Sequence, residues 1–332
     1  MYANWAQGTR TPSVIELGCA FDKTPVTVTG GVTVPKSLFE NRECTLPTSL
    51  SGDPYLPQIR ATTYDIGMRG SVWGEWQWNL GAYQTDLKND IYFVSVGNGQ
   101  GFFDTVGSTR RRGIESGLSG NVGKARLSLN YSLTQATFED KFNMFSLDNS
   151  SAGTVAGLGN GVIQVEPGDK MPGVALHNLN ASMSYDLTDK WTVGLSAVAH
   201  SESYLRGNEN NDHQKGVASV RQFPLGNGGV GTVTRQPATN PGKIPGYATF
   251  NLQTSYKLSK EWTATMIVSN LFDKEYFSAG RLGVNPFSPS INGNIGVSGY
   301  NHNSSDWLST NFIAPGAPRG IWFSLNWHFV PD

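Results

Sequence analysis

Residues 125–134 read ARLSLNYSLT, in which every odd-numbered residue is apolar and every even-numbered residue is polar. Successive side chains of a β-strand point to opposite sides of the sheet, so this alternation predicts a strand with one apolar face. The same pattern recurs in the segments that begin at Trp191, Ala248, Trp262 and Ile321. The chain is therefore predicted to consist mainly of strands of this kind.

Along the whole chain, the alternation predicts ten strands that are joined in turn by tight turns and by longer segments. The tight turns are Trp73-Gly74, Gly123-Lys124, Asp189-Lys190 and Lys260-Glu261. The predicted strands are roughly residues 1–7, 59–72, 75–95, 102–122, 125–138, 172–187, 191–206, 244–258, 262–277 and 319–329. The other connections are rich in Gly, Asn, Pro and Ser and are predicted to be loops, at 8–58, 96–101, 139–171, 207–243 and 278–318.

Tight turns at one end and long loops at the other predict an all-β fold, an antiparallel up-and-down transmembrane β-barrel of about ten strands. The strands predicted at 75–95 and 102–122 are expected to project beyond the bilayer, because about 9–11 tilted residues are enough to cross it. In a soluble β-sandwich the apolar faces would point inward instead, and the periodicity alone does not distinguish the two folds.

Five tryptophans favour the barrel, because they lie at or just after the tight turns. They are Trp73, Trp76, Trp78, Trp191 and Trp262. Aromatic residues gathered at one level are typical of the interfacial girdle of a membrane barrel. Tryptophans of an ordinary soluble core are the alternative.

The composition excludes several classes of protein. Lys+Arg number 25 against Asp+Glu 26, and no basic cluster is found, so a nucleic-acid partner is not expected. No uncharged apolar run reaches about 18 residues, so no transmembrane helix is predicted. The 39 glycines argue against a helical bundle, and the 11% of aromatic residues argues against a disordered chain.

No catalytic or metal-binding constellation is found in the sequence. The five histidines are dispersed, without HExxH spacing, and neither a GxSxG elbow nor a P-loop occurs. The chain is therefore predicted not to be an enzyme and to carry neither a cofactor nor a metal.

Three adjacent arginines, Arg110, Arg111 and Arg112, lie in a predicted strand. An arginine that faced lipid at the midplane would cost about 2–4 kcal/mol, so this stretch is expected to lie outside the hydrocarbon. We expect salt bridges in the lumen with carboxylates such as Glu115, and the alternative is a basic patch that contacts an anionic ligand.

Four stretches of the chain carry a family resemblance. Residues 270–277 read NLFDKEYF, and the stretches at 2–17, 64–69 and 109–115 follow the order of segments in the same family. Together they resemble the β-barrel of TonB-dependent outer-membrane receptors over nearly the whole chain. The residues that match the family's NLFDKxY signature are Asn270, Leu271, Phe272, Asp273 and Tyr276.

The resemblance implies a place for this chain within a larger fold. Family members have a 22-stranded barrel that is plugged by an N-terminal domain, which follows a signal peptide and a TonB box. Nothing before Tyr2 resembles those parts, so residues 1–332 are expected to form one barrel domain, the C-terminal part of the barrel, with plug, TonB box and signal peptide absent. A small complete ten-stranded barrel is the alternative.

The resemblance also implies a function, the TonB-energised uptake of a scarce solute such as a ferric siderophore or cobalamin. The implied location is the outer membrane of a Gram-negative bacterium, and the implied partners are outer-membrane lipid, a small metal chelate and the TonB–ExbB–ExbD system acting through the plug. Alternative functions are an outer-membrane pore or adhesin, and a soluble β-sandwich binding protein. Candidate ligand contacts near the bases of the long loops are Phe142, Phe145, Tyr204, Arg206, Phe287, Tyr300 and Trp307.

The two cysteines, Cys19 and Cys44, both lie in the first long loop. If the chain is exported to the outer membrane, the oxidising environment favours a disulfide between them. Closing this loop would stabilise the fold by about 3–4 kcal/mol on chain-entropy estimates. Two unpaired thiols in a reducing cytosol are the alternative.

Overall fold

The computed structural model describes residues 1–28, 30–40, 56–97, 100–153, 158–218, 220–224, 229–234, 236–289, 295–296, 299–303 and 307–329. Within these ranges the chain forms short helices at α1 (Val14–Gly18) and α2 (Lys36–Phe39). The strands are β1 (Tyr2–Arg10), β2 (Pro25–Thr27), β3 (Thr33–Pro35), β4 (Ile59–Val72), β5 (Trp76–Lys88), β6 (Ile91–Gly97), β7 (Gln100–Thr105), β8 (Thr109–Val122), β9 (Ala125–Phe138), β10 (Phe142–Phe145), β11 (Val162–Val165), β12 (His177–Asp186), β13 (Trp191–His200), β14 (Ser203–Tyr204), β15 (Val220–Pro224), β16 (Val230–Thr234), β17 (Lys243–Ile244), β18 (Tyr247–Lys257), β19 (Trp262–Ser269), β20 (Phe277–Asn285), β21 (Leu308–Pro315) and β22 (Gly320–Trp327).

Ten of these strands form one antiparallel sheet in the order β1-β4-β5-β8-β9-β12-β13-β18-β19-β22. The order follows the chain, so the predicted up-and-down meander is confirmed. All four predicted tight turns join neighbouring strands, and two of them use glycines with positive φ, Gly74 at 79° and Gly123 at 59°. Glycine adopts this left-handed conformation without the steric cost of a side chain. β1 and β22 lie at the two edges of the sheet.

The strand register places apolar residues of neighbouring strands side by side. Leu129 of β9 pairs with Leu118 of β8 and with Ala181 of β12, and the rows continue across the sheet to Phe323 of β22. Leu129 is 43% exposed and Phe323 is 77% exposed. A sandwich would bury such rows against a second layer, so the soluble sandwich alternative is wrong. An exposed apolar face of this extent is the surface that a membrane barrel turns to lipid.

Aromatic residues mark two levels on this apolar face. At the end with the tight turns, Trp191 pairs with Tyr256, and Trp262 pairs with Trp327. Near the loop end, Trp5 of β1 pairs with Tyr64 of β4, and both side chains are exposed. The part of β4 that lies between the two levels is residues 64–72. Its length matches the roughly 9–11 tilted residues that a membrane-spanning strand needs. The predicted girdle therefore has a counterpart at the opposite interface.

The long connections are not bare loops, because the structure forms six small two-stranded sheets from their residues. The predicted strands at 75–95 and 102–122 are therefore too long. β5 ends at Lys88 and β8 begins at Thr109, because Asn89 and Gly107 adopt positive φ angles of 56° and 80° and turn the chain away from the sheet. The residues between them form the separate β6–β7 hairpin.

The three arginines lie at the loop end of β8, and two of them, Arg110 and Arg111, form ion pairs. The expectation that they pair in the lumen is wrong for Arg110 and Arg112, which lie on the apolar face with Ile114, because alternate residues of a strand point to the same side. Arg110 contacts Asp86 at 2.7 Å and Glu139 at 3.0 Å, and Arg111 contacts Asp90 at 3.4 Å. The carboxylate partners are therefore not Glu115, which lies farther into the strand. Arg112 donates a hydrogen bond from Nε to Oε1 of Gln135 at 3.0 Å.

A hydrophobic cluster stabilises the hairpins above the sheet. It includes Val94 of the β6–β7 hairpin, Phe138 at the end of β9, and Ile163 and Val165 of the β10–β11 hairpin, all buried. Burying such side chains contributes about 1.5–3 kcal/mol each, so these hairpins form an ordered layer at the loop end. Across the part of the chain that the structure describes, no helix is long and apolar enough to cross a membrane.

Candidate functional site

The NLFDKEY stretch closes the loop end of β19. Asn270 and Asp273 have positive φ angles of 50° and 53°, a conformation that Asn and Asp tolerate better than most residues. The Asn270 side chain accepts a hydrogen bond from the Lys274 N–H at 2.8 Å and donates to the carbonyls of Lys274 and Ala317 at 2.9 and 3.1 Å. Asp273 accepts the Arg319 N–H at 2.9 Å. The stretch thus ties the end of β19 to the segment that leads into β22.

The apolar residues of this stretch complete the same structural unit. The Leu271 N–H donates to the Phe250 carbonyl at 2.7 Å, and the Phe272 ring lies 5.4 Å from that of Phe250. The Tyr276 ring lies 4.5 Å from that of Tyr247. These five motif residues therefore hold neighbouring strands together.

A second motif stretch forms a similar structural unit at the end of β1. Arg10 makes two hydrogen bonds to the Glu16 carboxylate, at 2.7 and 2.8 Å, and Ser13 caps helix α1 in a reciprocal capping box with Glu16. The hydrogen bonds from Arg10 and Ser13 lower the pKa of Glu16 to about 2. The chain is thereby folded back at the start of the first long connection.

Two of the predicted ligand residues, Phe145 and Arg206, meet in one cavity of about 550 Å³ among the long connections. Four connections contribute to its wall: Phe93 comes from the β6–β7 hairpin, Phe145 from β10, Arg206 from the segment after β14, and Arg281 from β20. Cavities of this size are typical of small-molecule sites.

Arg206 is held in place through its backbone and its side chain. Its N–H donates to the Gly280 carbonyl at 3.2 Å, and its carbonyl accepts the Leu282 N–H at 2.8 Å, which places its backbone beside that of Arg281. Nη2 donates to the Phe93 carbonyl at 2.9 Å, and the guanidinium lies 4.9 Å from the centre of the Tyr92 ring. Two positively charged side chains, Arg206 and Arg281, therefore reach the same cavity.

Glu209 supplies a buried carboxyl at the same cavity. It accepts hydrogen bonds from the Tyr92 hydroxyl at 3.1 Å and from the Gly207 N–H at 2.9 Å. Burial raises the pKa of the Glu209 carboxyl, while the nearby Arg206 charge opposes that shift. Burial and the Glu209 charge raise the pKa of Tyr92 as well. Asp148 also lies in the cavity wall, so two carboxyl groups and two guanidinium groups surround the cavity.

A buried polar junction fixes the loops that carry Phe145 and Arg206. Asn149 donates to the Gly207 carbonyl and to the Asn210 side chain, each at 2.9 Å. His213 accepts the Ser150 N–H at Nδ1, at 3.0 Å. The connections 139–176 and 201–246 are thus joined by side-chain hydrogen bonds, so one wall of the cavity is pre-organised.

Three other aromatic candidates, Phe287, Tyr300 and Trp307, form a separate cluster. The Tyr300 ring lies 6.5 Å from that of Phe287 and 5.7 Å from that of Trp307, and Trp307 donates from Nε1 to the Asn301 carbonyl at 2.8 Å. Phe142 and Tyr204 do not join either group. Phe142 packs on Phe138 at 5.0 Å, and the ammonium of Lys243 lies 4.9 Å from the Tyr204 ring.

Comparison with known proteins identifies the family. Residues 1–271 match the family model described as TonB dependent receptor-like, beta-barrel. The chain belongs to the TonB-dependent receptors. No curated protein matches it in sequence.

The chain is similar to several solved structures, and two of them have a TM-score above 0.5. The copper transporter OprC is 15% identical, with a TM-score of 0.56, over 99% of this chain and 37% of that chain. A mutant of the ferric enterobactin receptor PfeA of Pseudomonas aeruginosa is 15% identical, with a TM-score of 0.54, over 98% of this chain and 38% of that chain. The ferric-catecholate import receptor Fiu of E. coli K12 is 17% identical, with a TM-score of 0.48, over 82% of this chain and 28% of that chain. The chain thus spans well under half the length of these structures.

The sequence did not predict the other residues of the cavity in this TonB-dependent receptor chain, among them Phe93, Glu209 and Arg281. Phe93 was predicted inside a long strand, whereas it lies in a hairpin that leaves the sheet. Arg281 was predicted inside an unstructured loop, although residues 277–285 form β20. Glu209 was not predicted, because no sequence pattern indicates which carboxylate of a polar loop is buried.

The predicted disulfide involves a residue outside the described ranges. Cys19 is buried beside the β6–β7 hairpin, where its carbonyl accepts the Phe103 N–H at 2.7 Å. Cys44 lies among residues 41–55, outside the described residues. The Cys19–Cys44 pairing therefore stays a prediction for this TonB-dependent receptor chain.

Proposed function

We propose that this chain supplies barrel wall and extracellular ligand loops to an outer-membrane receptor that captures a small anionic metal chelate for TonB-energised uptake. The single observation that carries the proposal is the cavity between the long connections, where Arg206 and Arg281 meet aromatic side chains. A ferric siderophore is the solute class that fits best, because its oxygen-rich, often aromatic shell carries negative charge.

The chemistry of the cavity suits such a solute. Guanidinium groups present several N–H donors in a rigid plane and bind carboxylate or phenolate oxygens through charge-assisted hydrogen bonds. Phe93 and Phe145 offer apolar faces beside these donors. Since the junction of Asn149 and His213 holds the wall in place, less ordering entropy is lost when the solute binds.

The remaining parts of the proposal follow from family membership. We place the receptor in the outer membrane of a Gram-negative bacterium, with the long connections outside the cell. Energy would come from the TonB–ExbB–ExbD system through a plug domain, as in the family. The aromatic cluster of Phe287, Tyr300 and Trp307 is proposed as a first contact surface for the solute, because its rings lie among the same long connections.

The test is a binding titration with the chain in detergent, using a ferric tricatecholate as the anionic probe and a neutral ferric trihydroxamate for comparison. The double variant Arg206→Gln with Arg281→Gln should bind the anionic probe at least about tenfold more weakly, since hydrogen bonds to charged groups are worth about 1.5–3 kcal/mol each. Quenching of tryptophan fluorescence measures both affinities.

The matched control is Arg69→Gln, an exposed arginine near the tight-turn end of β4. This variant removes a guanidinium charge at a position outside the cavity, so the affinities for both probes should be unchanged. The proposal would be contradicted if the double variant bound the anionic probe as tightly as the unaltered chain.

A further inference from the structure

Tyr92 lies directly against the guanidinium of Arg206, a positive charge of the loop cavity. The Arg206 Cζ atom lies over the Tyr92 ring, 4.9 Å from its centre, and 6.0 Å from the centre of the neighbouring Phe93 ring. Nη2 of the same guanidinium donates to the Phe93 carbonyl at 2.9 Å. The cavity wall includes Phe93 and Arg206, whereas Tyr92 lies behind them. Any effect of Tyr92 on a bound solute is therefore exerted through Arg206.

The Tyr92 side chain is fixed at both of its ends. Its ring packs edge-to-face against Phe138, with 5.5 Å between the ring centres, at the hydrophobic cluster of the hairpins. Its hydroxyl donates to Oε1 of Glu209 at 3.1 Å, and the Glu209 side chain is fully buried. Both contacts are made without Arg206, so the ring offers the guanidinium a surface whose position is already set.

Glu209 connects the Tyr92 ring with the backbone that carries Arg206. Its second oxygen, Oε2, accepts the Gly207 N–H at 2.9 Å, and Gly207 directly follows Arg206 in the chain. One buried carboxyl thus joins the β6–β7 hairpin to the segment after β14. Breaking either hydrogen bond would leave a buried polar group unsatisfied, so this connection resists distortion.

Arg281 reaches the same cavity without comparable support. Its Nε donates to the carbonyl of the adjacent Leu282 at 3.5 Å, the long limit of a hydrogen bond. Within the described part of the chain, the cations that lie over aromatic rings are Arg206 and Lys243, and Arg281 is not one of them. The cavity therefore contains one guanidinium that is held in place and one that has fewer contacts to restrict it.

We propose that Tyr92 is the positioning residue for Arg206 and that Glu209 fixes Tyr92 in this role, so that the pair sets the preference of the cavity for anionic over neutral solutes. A guanidinium already held against a ring loses less conformational entropy when it binds an oxyanion. One of its five N–H donors is used by the Phe93 carbonyl, and the others are the donors proposed for the solute. The inference rests on the proposed function, because it assigns Arg206 to the binding of an anionic chelate.

The experiment is a double-mutant cycle of chelate binding, measured on the full chain in detergent by quenching of tryptophan fluorescence. The probes are the ferric tricatecholate and the neutral ferric trihydroxamate. Tyr92→Leu alone should weaken tricatecholate binding by about threefold to tenfold and leave trihydroxamate binding unchanged. Added to Arg206→Gln, it should weaken tricatecholate binding by less than about twofold, because its effect passes through Arg206. Added to Arg281→Gln, it should have its full effect.

Tyr92→Phe tests the contact with Glu209 while the ring and its packing are kept. Loss of the hydroxyl should weaken tricatecholate binding by about twofold to fivefold, again without an effect on the trihydroxamate. The same cycle with Tyr92→Phe decides the question if Tyr92→Leu does not fold. The matched control is Tyr131→Leu, since the Tyr131 hydroxyl lies 2.8 Å from Nδ1 of His177, outside the cavity. This control should leave both affinities unchanged.

Three results would overturn the proposal. These are an equal effect of Tyr92→Leu in the presence and absence of Arg206, equal weakening of both probes by Tyr92→Leu, and unchanged tricatecholate binding in Tyr92→Phe. Failure of the proposed function has a different signature, which is unchanged tricatecholate binding when Arg206→Gln and Arg281→Gln are combined. If that double variant loses affinity and the Tyr92 variants do not, the proposed function stands and the positioning role is wrong.

Discussion

At the scale of single residues, Asn270 shows how a backbone conformation and a side chain support one another. Its positive φ of 50° turns the chain at the end of β19, and its amide side chain spans Lys274 and Ala317. The side chain is almost fully buried, so each lost hydrogen bond would leave a polar group without water. The turn therefore depends on both properties of one residue.

We expect Asn270→Ala to lower the free energy of unfolding by about 2–4 kcal/mol, because it removes three side-chain hydrogen bonds and strains the backbone. Asn270→Gly also loses the bonds but tolerates positive φ, so its loss should be about 1–2 kcal/mol smaller. Urea unfolding in detergent, followed by tryptophan fluorescence, measures both. Equal losses in the two variants would show that backbone strain contributes nothing.

His213 makes the loop junction sensitive to pH. Its Nδ1 accepts the Ser150 N–H, so that atom carries no proton, and its Nε2–H faces the Asn240 carbonyl at 3.2 Å. Burial lowers the pKa of His213. A histidine with a lowered pKa in the folded state favours folding above its ordinary pKa of about 6.5, and the contribution is lost as the pH falls below that value.

We therefore expect faster hydrogen exchange of the amides around Ser150 and Gln214 at pH 5.5 than at pH 7.5, after correction for the intrinsic pH dependence of exchange. His213→Gln should remove most of this difference. His302→Gln, which alters an exposed histidine of another loop, should keep it. Equal corrected rates at both pH values in the unaltered chain would contradict this role for His213.

At the scale of elements, the sequence predicts which segments form the strands of the large sheet but not where each strand ends. The period of two located all ten strands of the large sheet, because lipid or core contact imposes one apolar face on each. The ends depend on single residues such as Asn89, whose positive φ redirects the chain within a run of suitable strand residues. Composition carries no signal for such a change of direction.

The elements of the candidate site were predictable only in part. Loop length directed attention to the connections that hold Phe145 and Arg206, since long connections in compact domains usually have a function. Arg281 was missed because β20 was hidden in a segment rich in Gly, Asn and Ser. The grouping of four connections around one cavity is a tertiary arrangement, which local sequence patterns do not encode.

At the scale of the whole molecule, the exposed apolar face is the property on which the other conclusions depend. The register lines up apolar residues across ten strands, and many of their side chains are exposed, such as Leu129 at 43% and Phe323 at 77%. Polar residues such as Ser128 and Asn130 occupy the opposite face. The placement of the sheet in a membrane and the two aromatic levels both depend on this difference between the two faces.

The most direct measurement places a nitroxide spin label, one position at a time, at residues 126–133 of β9 in a chain inserted into lipid bilayers. Labels at Leu127, Leu129, Tyr131 and Leu133 should collide mainly with lipid-soluble oxygen, and labels at Arg126, Ser128, Asn130 and Ser132 should collide mainly with a water-soluble nickel reagent. Labels at the apolar positions that were shielded from both quenchers would show that this face packs against protein, and would contradict the account.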